Sequence, residues 1–320
     1  MIVIENSSIK SKIGLAAKLS ISALILWLLA RSLHWHDLTD AISRLQPAWA
    51  LLALLIYWIA QIVSSLRCAY LVRALGGELP QRLSIRAHFL GLWFNQVLPT
   101  SLGGDIVKLA VLAKPVGSSI ALRACILDRL SGLIFLMIAI FVMLPLYFRL
   151  LSYGPMSIGL AVLSTSFLIV LLTGAWASTY LRIRFNEKPI LMKFTQLFSD
   201  IWALRKLEYL GQQTWTSAVV HFNGIIAYWL LGVAMDLPVN MLQFMLIVPL
   251  VFLVALLPIS FAGWGVREAG AVWLFGLIGI DQHSALAVSI AFGSLLLFAA
   301  IPGAFLLILD GEMKNLSSQD

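Results

Sequence analysis

Asp105, Lys108, Asp128, Arg129, Arg267 and Glu268 stand in or beside stretches of sequence that are otherwise apolar, three of them acidic and three basic. An ionised group at the centre of a bilayer costs at least ~2.5 kcal/mol, so each must find a counter-charge or face water. Two uses follow. Either the six neutralise one another and only brace the fold, or they line a polar, partly hydrated cavity that handles a charged headgroup. Their neighbours fit the second use. Asn95 and Gln96 precede Pro99, and Thr100 and Ser101 follow it. Gly103-Gly104 then leaves backbone amides without side-chain cover, a shape that cradles an anion such as phosphate. Pro258, Ser260, Gly263 and Gly265 repeat the arrangement ahead of Arg267. The planar guanidinium fork suits two phosphate oxygens better than a lysine does. Glu268 then either closes a clamp on Arg267 or meets a cationic part of the same headgroup. These residues form the candidate substrate site, with Pro99 and Pro258 as its turns.

Other chemistries find no support. The chain has no G-x-S-x-G, no Walker loop and no H-E-x-x-H, so neither ATP-driven pumping nor a familiar hydrolysis is expected, and no cofactor. His34-Trp35-His36 has no carboxylate or cysteine at a recognised spacing to complete a metal site. His88 and His221 lie in apolar stretches, where a packing histidine with one hydrogen bond is the expectation. Cys68 and Cys125 form no C-x-x-C pair and read as reduced, partly buried structural thiols near the cytoplasmic face. No basic stretch interleaves aromatics as a nucleic-acid module does.

What must position the charged residues follows from composition. The 320 residues are 61% hydrophobic and 12% charged. A water-facing domain carries about 25% charge. Apolar runs of membrane-crossing length recur, so the chain reads as an all-α polytopic membrane protein, a single integral membrane domain over 1–320. Clear spans fall at 13–31, 48–66, 121–147, 156–181, 214–235 and 284–309. Lys10, Lys12 and Lys18 precede the first run as in a signal peptide, but Ala30-Arg31-Ser32 lacks a small-x-small cleavage site, so it reads as an uncleaved span. Residues 85–113 and 242–280 are broken by Pro99 and Pro258. Proline ends a helix near the preceding residue. The glycines that follow let the chain turn back.

Charge decides whether the broken regions cross. With the N-terminus inside and both regions folded as re-entrant hairpins, the basic loop 182–206 lies inside with most other cations, Arg67 and Arg123 among them. Only Arg31, Arg44 and Arg149 remain outside, as the positive-inside rule requires. The expectation is six transmembrane helices plus two re-entrant helical hairpins, with both termini cytoplasmic. Span, hairpin and span then recur over 48–147 and 214–309 in opposite orientations, and Leu-Pro-x-Ser-x-x-Gly recurs in the two hairpins. This is the inverted repeat of many transporters. Over 190–210, Ile190, Phe194, Leu197, Phe198, Ile201 and Trp202 share a helical face that Lys193, Gln196, Asp200 and Lys206 avoid, the pattern of an interfacial amphipathic helix.

Three motifs, taken in order, carry a resemblance. They are Phe94-Asn95-Gln96-Val97-Leu98-Pro99-Thr100-Ser101-Leu102-Gly103-Gly104-Asp105, then Asp128-Arg129-Leu130-Ser131-Gly132-Leu133, then Leu257-Pro258 through Gly263-Trp264-Gly265-Val266-Arg267-Glu268. Together they resemble the lysylphosphatidylglycerol synthase transmembrane-region family over most of the chain. That family includes the flippase-like half of bacterial multiple peptide resistance factors and stand-alone proteins, some associated with hopanoid or glycolipid pathways. The resemblance implies a flippase or scramblase-like translocase in a bacterial inner membrane. Its cargo would be a phospholipid, an aminoacylated lipid or a glycolipid- or hopanoid-type lipid. The chain ends at Asp320 without the soluble aminoacyl-transferase domain of the full resistance factors, so the synthase activity is not expected. Two alternatives stand beside this reading. One is a membrane transferase acting on a lipid-linked substrate, with Asp105, Asp128 or Glu268 as base. The other is a non-catalytic partner of a lipid-modifying enzyme.

Overall fold

The computed structural model describes residues 20, 23–24, 27, 31, 39–40, 42–98, 103–150, 154–184, 196–202, 204, 207–238, 240–257, 260 and 263–317. The regular elements among them are helices: α1 (Pro47–Ala74), α2 (Gln81–Val97), α3 (Gly103–Val116), α4 (Ser118–Val142), α5 (Leu144–Leu150), α6 (Pro155–Arg184), α7 (Leu207–Ala234), α8 (Met241–Ala255), α9 (Val266–Gly276) and α10 (Gln282–Ser317). Segments of α1, α4, α6, α7 and α10 are long and apolar enough to cross a membrane. They coincide with the expected spans from 48–66 onward. Most of the expected span at 13–31 falls outside the described residues, and His34 and His36 fall outside them entirely.

The two broken regions become pairs of short helices. α2 and α3 have 17 and 14 residues, and α8 and α9 have 15 and 11. At about 1.5 Å per residue none of the four reaches the ~30 Å of a hydrocarbon core. Each pair folds back on itself. A Cβ on Gly104, in the first turn of α3, would stand 2.0 Å from the carbonyl oxygen of Gly91 on α2. A Cβ on Gly270, one turn into α9, would stand 2.8 Å from Val254 Cγ1 on α8. Only a residue without a side chain permits such approach. Local signals set the helix ends. Asn240 accepts from the amide of Gln243 at 3.0 Å, and Gln243 returns the bond to the Asn240 amide at 2.9 Å, a capping box that starts α8. Asp281 accepts from the amides of His283 and Ser284, both at 3.0 Å, and so starts α10.

The chain divides into two compact units, one of residues 1–59, 89–107 and 223–320, the other of residues 60–88 and 108–222. In the first, α9 packs on both α8 and α10. Its centre is aromatic. Tyr228 stacks on Phe292 at 4.5 Å between centroids, and Phe244 meets Phe275 edge-on at 5.2 Å. Gly232 makes room for Phe244, whose ring would lie 2.6 Å from a Cβ there. In the second unit, α4 packs on α6, and Cys68, Leu71, Val72, Ala87, Leu112, Ala124 and Leu127 form a buried apolar core. Cys68 and Cys125 are buried and form no disulfide among the described residues.

Within the expected amphipathic segment, residues 196–202 are helical. Leu197 and Ile201 pack against the core of the second unit. Asp200 belongs to the polar side by periodicity, yet it is buried and accepts from Arg123 Nε at 2.7 Å and Gln196 Nε2 at 2.8 Å. Both the apolar and the polar side of this turn therefore engage the protein itself.

Candidate functional site

Four helices bring one ion cluster together inside the second unit. Asp128 sits on α4 among Ala124, Cys125 and Leu127, all buried. Its Oδ1 accepts from Arg67 Nε of α1 at 2.7 Å, and its Oδ2 accepts from Lys108 Nζ of α3 at 2.7 Å. Arg67 Nη1 donates to Ser217 Oγ of α7 at 3.2 Å. The side chains of Arg67, Lys108 and Asp128 are 7%, 6% and 11% exposed. Each cation holds its own oxygen of one carboxylate, so the three buried charges sum to one positive. Polar groups beside the cluster are satisfied. His88 shares a 3.0 Å hydrogen bond with Gln61, and Ser84 Oγ donates to the carbonyl of Ser65 at 2.6 Å. His221 likewise makes one hydrogen bond, to the carbonyl of Ser217 at 2.9 Å.

The second cluster lies at the start of α9 in the first unit. Gly263 and Gly265 have φ of 83° and 88°, the left-handed region in which glycine alone rests without strain. That turn delivers Glu268 to its own helix start. Glu268 Oε2 accepts from the Gly265 amide at 2.6 Å, and Oε1 accepts from Arg267 Nε at 3.0 Å and Nη2 at 2.5 Å. Arg267 also lies over the Trp264 ring, 4.8 Å from its centroid. It faces Gly293 of α10, where a Cβ would come 2.2 Å from Nη2. Arg267 and Glu268 are both buried. Nη1 of Arg267 makes no hydrogen bond among the described residues.

The remaining candidates separate. The Gly104 amide donates to Asn95 Oδ1 at 2.9 Å, just as the Gly265 amide donates to Glu268. Two of the turn amides expected to be open to an anion, those of Gly104 and Gly265, are thus occupied by side chains of the chain itself, because a buried N–H left unpaired is costly. Gly103 is buried beside Gly104, and Gln96 and Asp105 are half-buried. Asp105 stands in the first turn of α3, where the helix dipole favours a carboxylate. Arg129 is exposed, and Asp128 accepts hydrogen bonds from Arg67 on α1 and Lys108 on α3. Ser260 is buried and its Oγ has no hydrogen-bond partner among the described residues. Pro99, Thr100, Ser101 and Pro258 lie outside the described residues.

Arg67 is the residue that sequence reasoning missed. The charge count placed it in a cytoplasmic loop after residue 66, whereas α1 runs on to Ala74 and carries Arg67 inside the protein. The polar run Ser64-Ser65 just before it was the available signal. An apolar cleft of about 320 Å³ also opens in the first unit, lined by Leu51, Leu54, Leu231, Met235, Leu295 and Phe298 among others. Apart from Ser294 its walls are apolar side chains, so it accepts apolar chains rather than headgroups.

No curated protein and no solved structure matches the chain. A family does, and it matches where the geometry is richest, since residues 15–303 take in both folded-back helix pairs and both ion clusters. The chain belongs to the family described as the lysylphosphatidylglycerol synthase transmembrane region.

Proposed function

We propose that the chain is a lipid translocase of a bacterial inner membrane, flippase or scramblase-like, and not an enzyme. It would have six spans, two re-entrant helix pairs arranged as an inverted repeat, and both termini cytoplasmic. The observation that carries this reading is the placing of a buried ion cluster at each broken helix pair, with Lys108 on α3 and Arg267 and Glu268 on α9. Buried charge at membrane depth is costly, and ionisable residues kept there mark pathways for polar cargo. Discontinuous helices supply such pathways in transporters. The apolar cleft of the first unit fits an acyl chain. The cargo class is a phospholipid, an aminoacylated lipid or a glycolipid- or hopanoid-type lipid. The test is reconstitution of the purified protein in liposomes carrying fluorescent lipids of each class, with chemical quenching of the outer leaflet. Transfer of at least one class well above that of empty liposomes is the expected result. Transfer at the empty-liposome rate for every class would reject the reading.

One observation favours a second reading for part of the molecule. Glu268 engages both Arg267 and the Gly265 amide, which closes the start of α9 into a brace. A purely braced chain suits a non-catalytic partner of a lipid-modifying enzyme. That reading requires transfer to be indifferent to Arg267.

A further inference from the structure

We infer that Arg67 and Lys108 form a binding site for a phosphate oxyanion, with Asp128 as the internal counter-charge that holds both cations in place. Two observations carry the site. The first is charge. Arg67 and Lys108 are each all but sealed from solvent, and one carboxylate serves both. A lone buried positive charge is destabilising unless something of opposite sign meets it. The second is an excess of donors. Lys108 Nζ has three N–H groups, and among the described residues it meets Asp128 Oδ2 at 2.7 Å and the Cys68 thiol, which leaves it a donor to spare. Arg67 uses Nε on Asp128 and Nη1 on Ser217, and Nη2 makes no hydrogen bond among the described residues. Since the two cations hold the two oxygens of one carboxylate, their unused donors belong to one small region of the second unit. Surplus positive charge and surplus donors together specify an anion with several acceptor oxygens, which a phosphate or phosphodiester supplies. Arginine offers it a fork and lysine a point charge.

The phosphate comes from an anionic lipid headgroup or from free phosphate. The inference deepens the translocase reading by naming the part of the cargo that this cluster holds. Its test reads binding rather than transfer, so either can fail alone. Binding without transfer would sink the translocase reading and leave the site standing.

The experiment uses the full chain in a neutral maltoside detergent, with the unfolding midpoint followed by tryptophan fluorescence. Separate samples receive inorganic phosphate, phosphatidylglycerol and, as a phosphate-free control, diacylglycerol. Ligand that binds only the folded protein raises the midpoint. A rise of about 3 °C or more over the diacylglycerol control is expected with phosphatidylglycerol or with inorganic phosphate. A rise with phosphatidylglycerol alone identifies the lipid headgroup, and a rise with inorganic phosphate as well identifies the bare anion. Lys108→Met and Arg67→Met each leave one cation on Asp128, a balanced pair, so each keeps the fold and loses the rise. Three results overturn the proposal. They are no rise in the unmodified protein, an undiminished rise in both variants, and failure of both variants to fold, since the last would mean that the second cation is needed for structure alone.

Discussion

Arg67 Nε and Asp128 Oδ1 meet at 2.7 Å across 61 positions of sequence, and neither side chain is more than 11% exposed. The pair ties the end of α1 to α4. With Lys108 on the other oxygen, the carboxylate is the shared counter-charge of two cations, so the three residues are unequal in what their loss does.

Asp128→Asn removes the only negative charge of the cluster and leaves two buried cations facing each other. It should destabilise the protein by about 3–5 kcal/mol, the usual cost of stranding a buried charge. Lys108→Met leaves a neutral Arg67–Asp128 pair and should cost far less. Chemical unfolding of the two variants in the same detergent compares them directly. A larger loss for Lys108→Met would contradict this charge balance.

Gly293→Ala tests the seat of the second cluster. Its Cβ would come 2.2 Å from Arg267 Nη2 and 2.8 Å from Trp264, so the guanidinium must leave the Trp264 face, Glu268 or both. A loss of about 1–3 kcal/mol is expected, as for overpacking elsewhere. Gly303→Ala places its Cβ 2.1 Å from the Phe89 carbonyl oxygen, a backbone atom with less freedom to move. It should lower the melting temperature more than Gly293→Ala does.

Arg267→Lys separates a cargo contact from a brace. Lysine keeps the charge but reaches Glu268 with one nitrogen where arginine uses Nε and Nη2. Under the translocase reading, well-folded Arg267→Lys protein moves fluorescent lipid between liposome leaflets more slowly, and Arg267→Ala more slowly still. Normal transfer by both would take Arg267 off the lipid path.

Arg123 and Asp200 join α4 to residues 196–202, with Asp200 buried and Arg123 partly exposed. Arg123→Ala leaves the Asp200 carboxylate with Gln196 as its remaining partner among the described residues. Amide hydrogen exchange at Leu197 and Ile201 should rise, because their packing depends on that tether. The double variant Arg123→Ala, Asp200→Asn removes the stranded charge and should recover much of the protection. Exchange that is unchanged in the single variant would show that apolar packing alone holds the segment.

Cysteines introduced over 182–206 should react with a membrane-impermeant maleimide only after the inner face is opened. Cys68 and Cys125 are buried and give little background. Labelling from the outside in intact cells would remove the six-span topology and, with it, the inverted repeat.

The sequence alone determined the class of this protein and the places where it departs from a simple bundle. Hydrophobicity acts locally, so five spans could be read from apolar runs, and Pro99 and Pro258 marked both broken regions because proline acts on its own residue and the one before it. It also named Lys108, Asp128, Arg267 and Glu268, since a charge in an apolar stretch stands out without any knowledge of its surroundings. Only the tertiary structure decided the pairing. Arg129 adjoins Asp128 in sequence but is exposed, and the partners come from α1 and α3. Glycine amides that looked open are filled by Asn95 and Glu268. Asp200, polar by periodicity, is buried by an arginine 77 positions away. Charge and hydrogen-bond partners are chosen by distance in space, and that distance is set by how the helices pack, which no local pattern records.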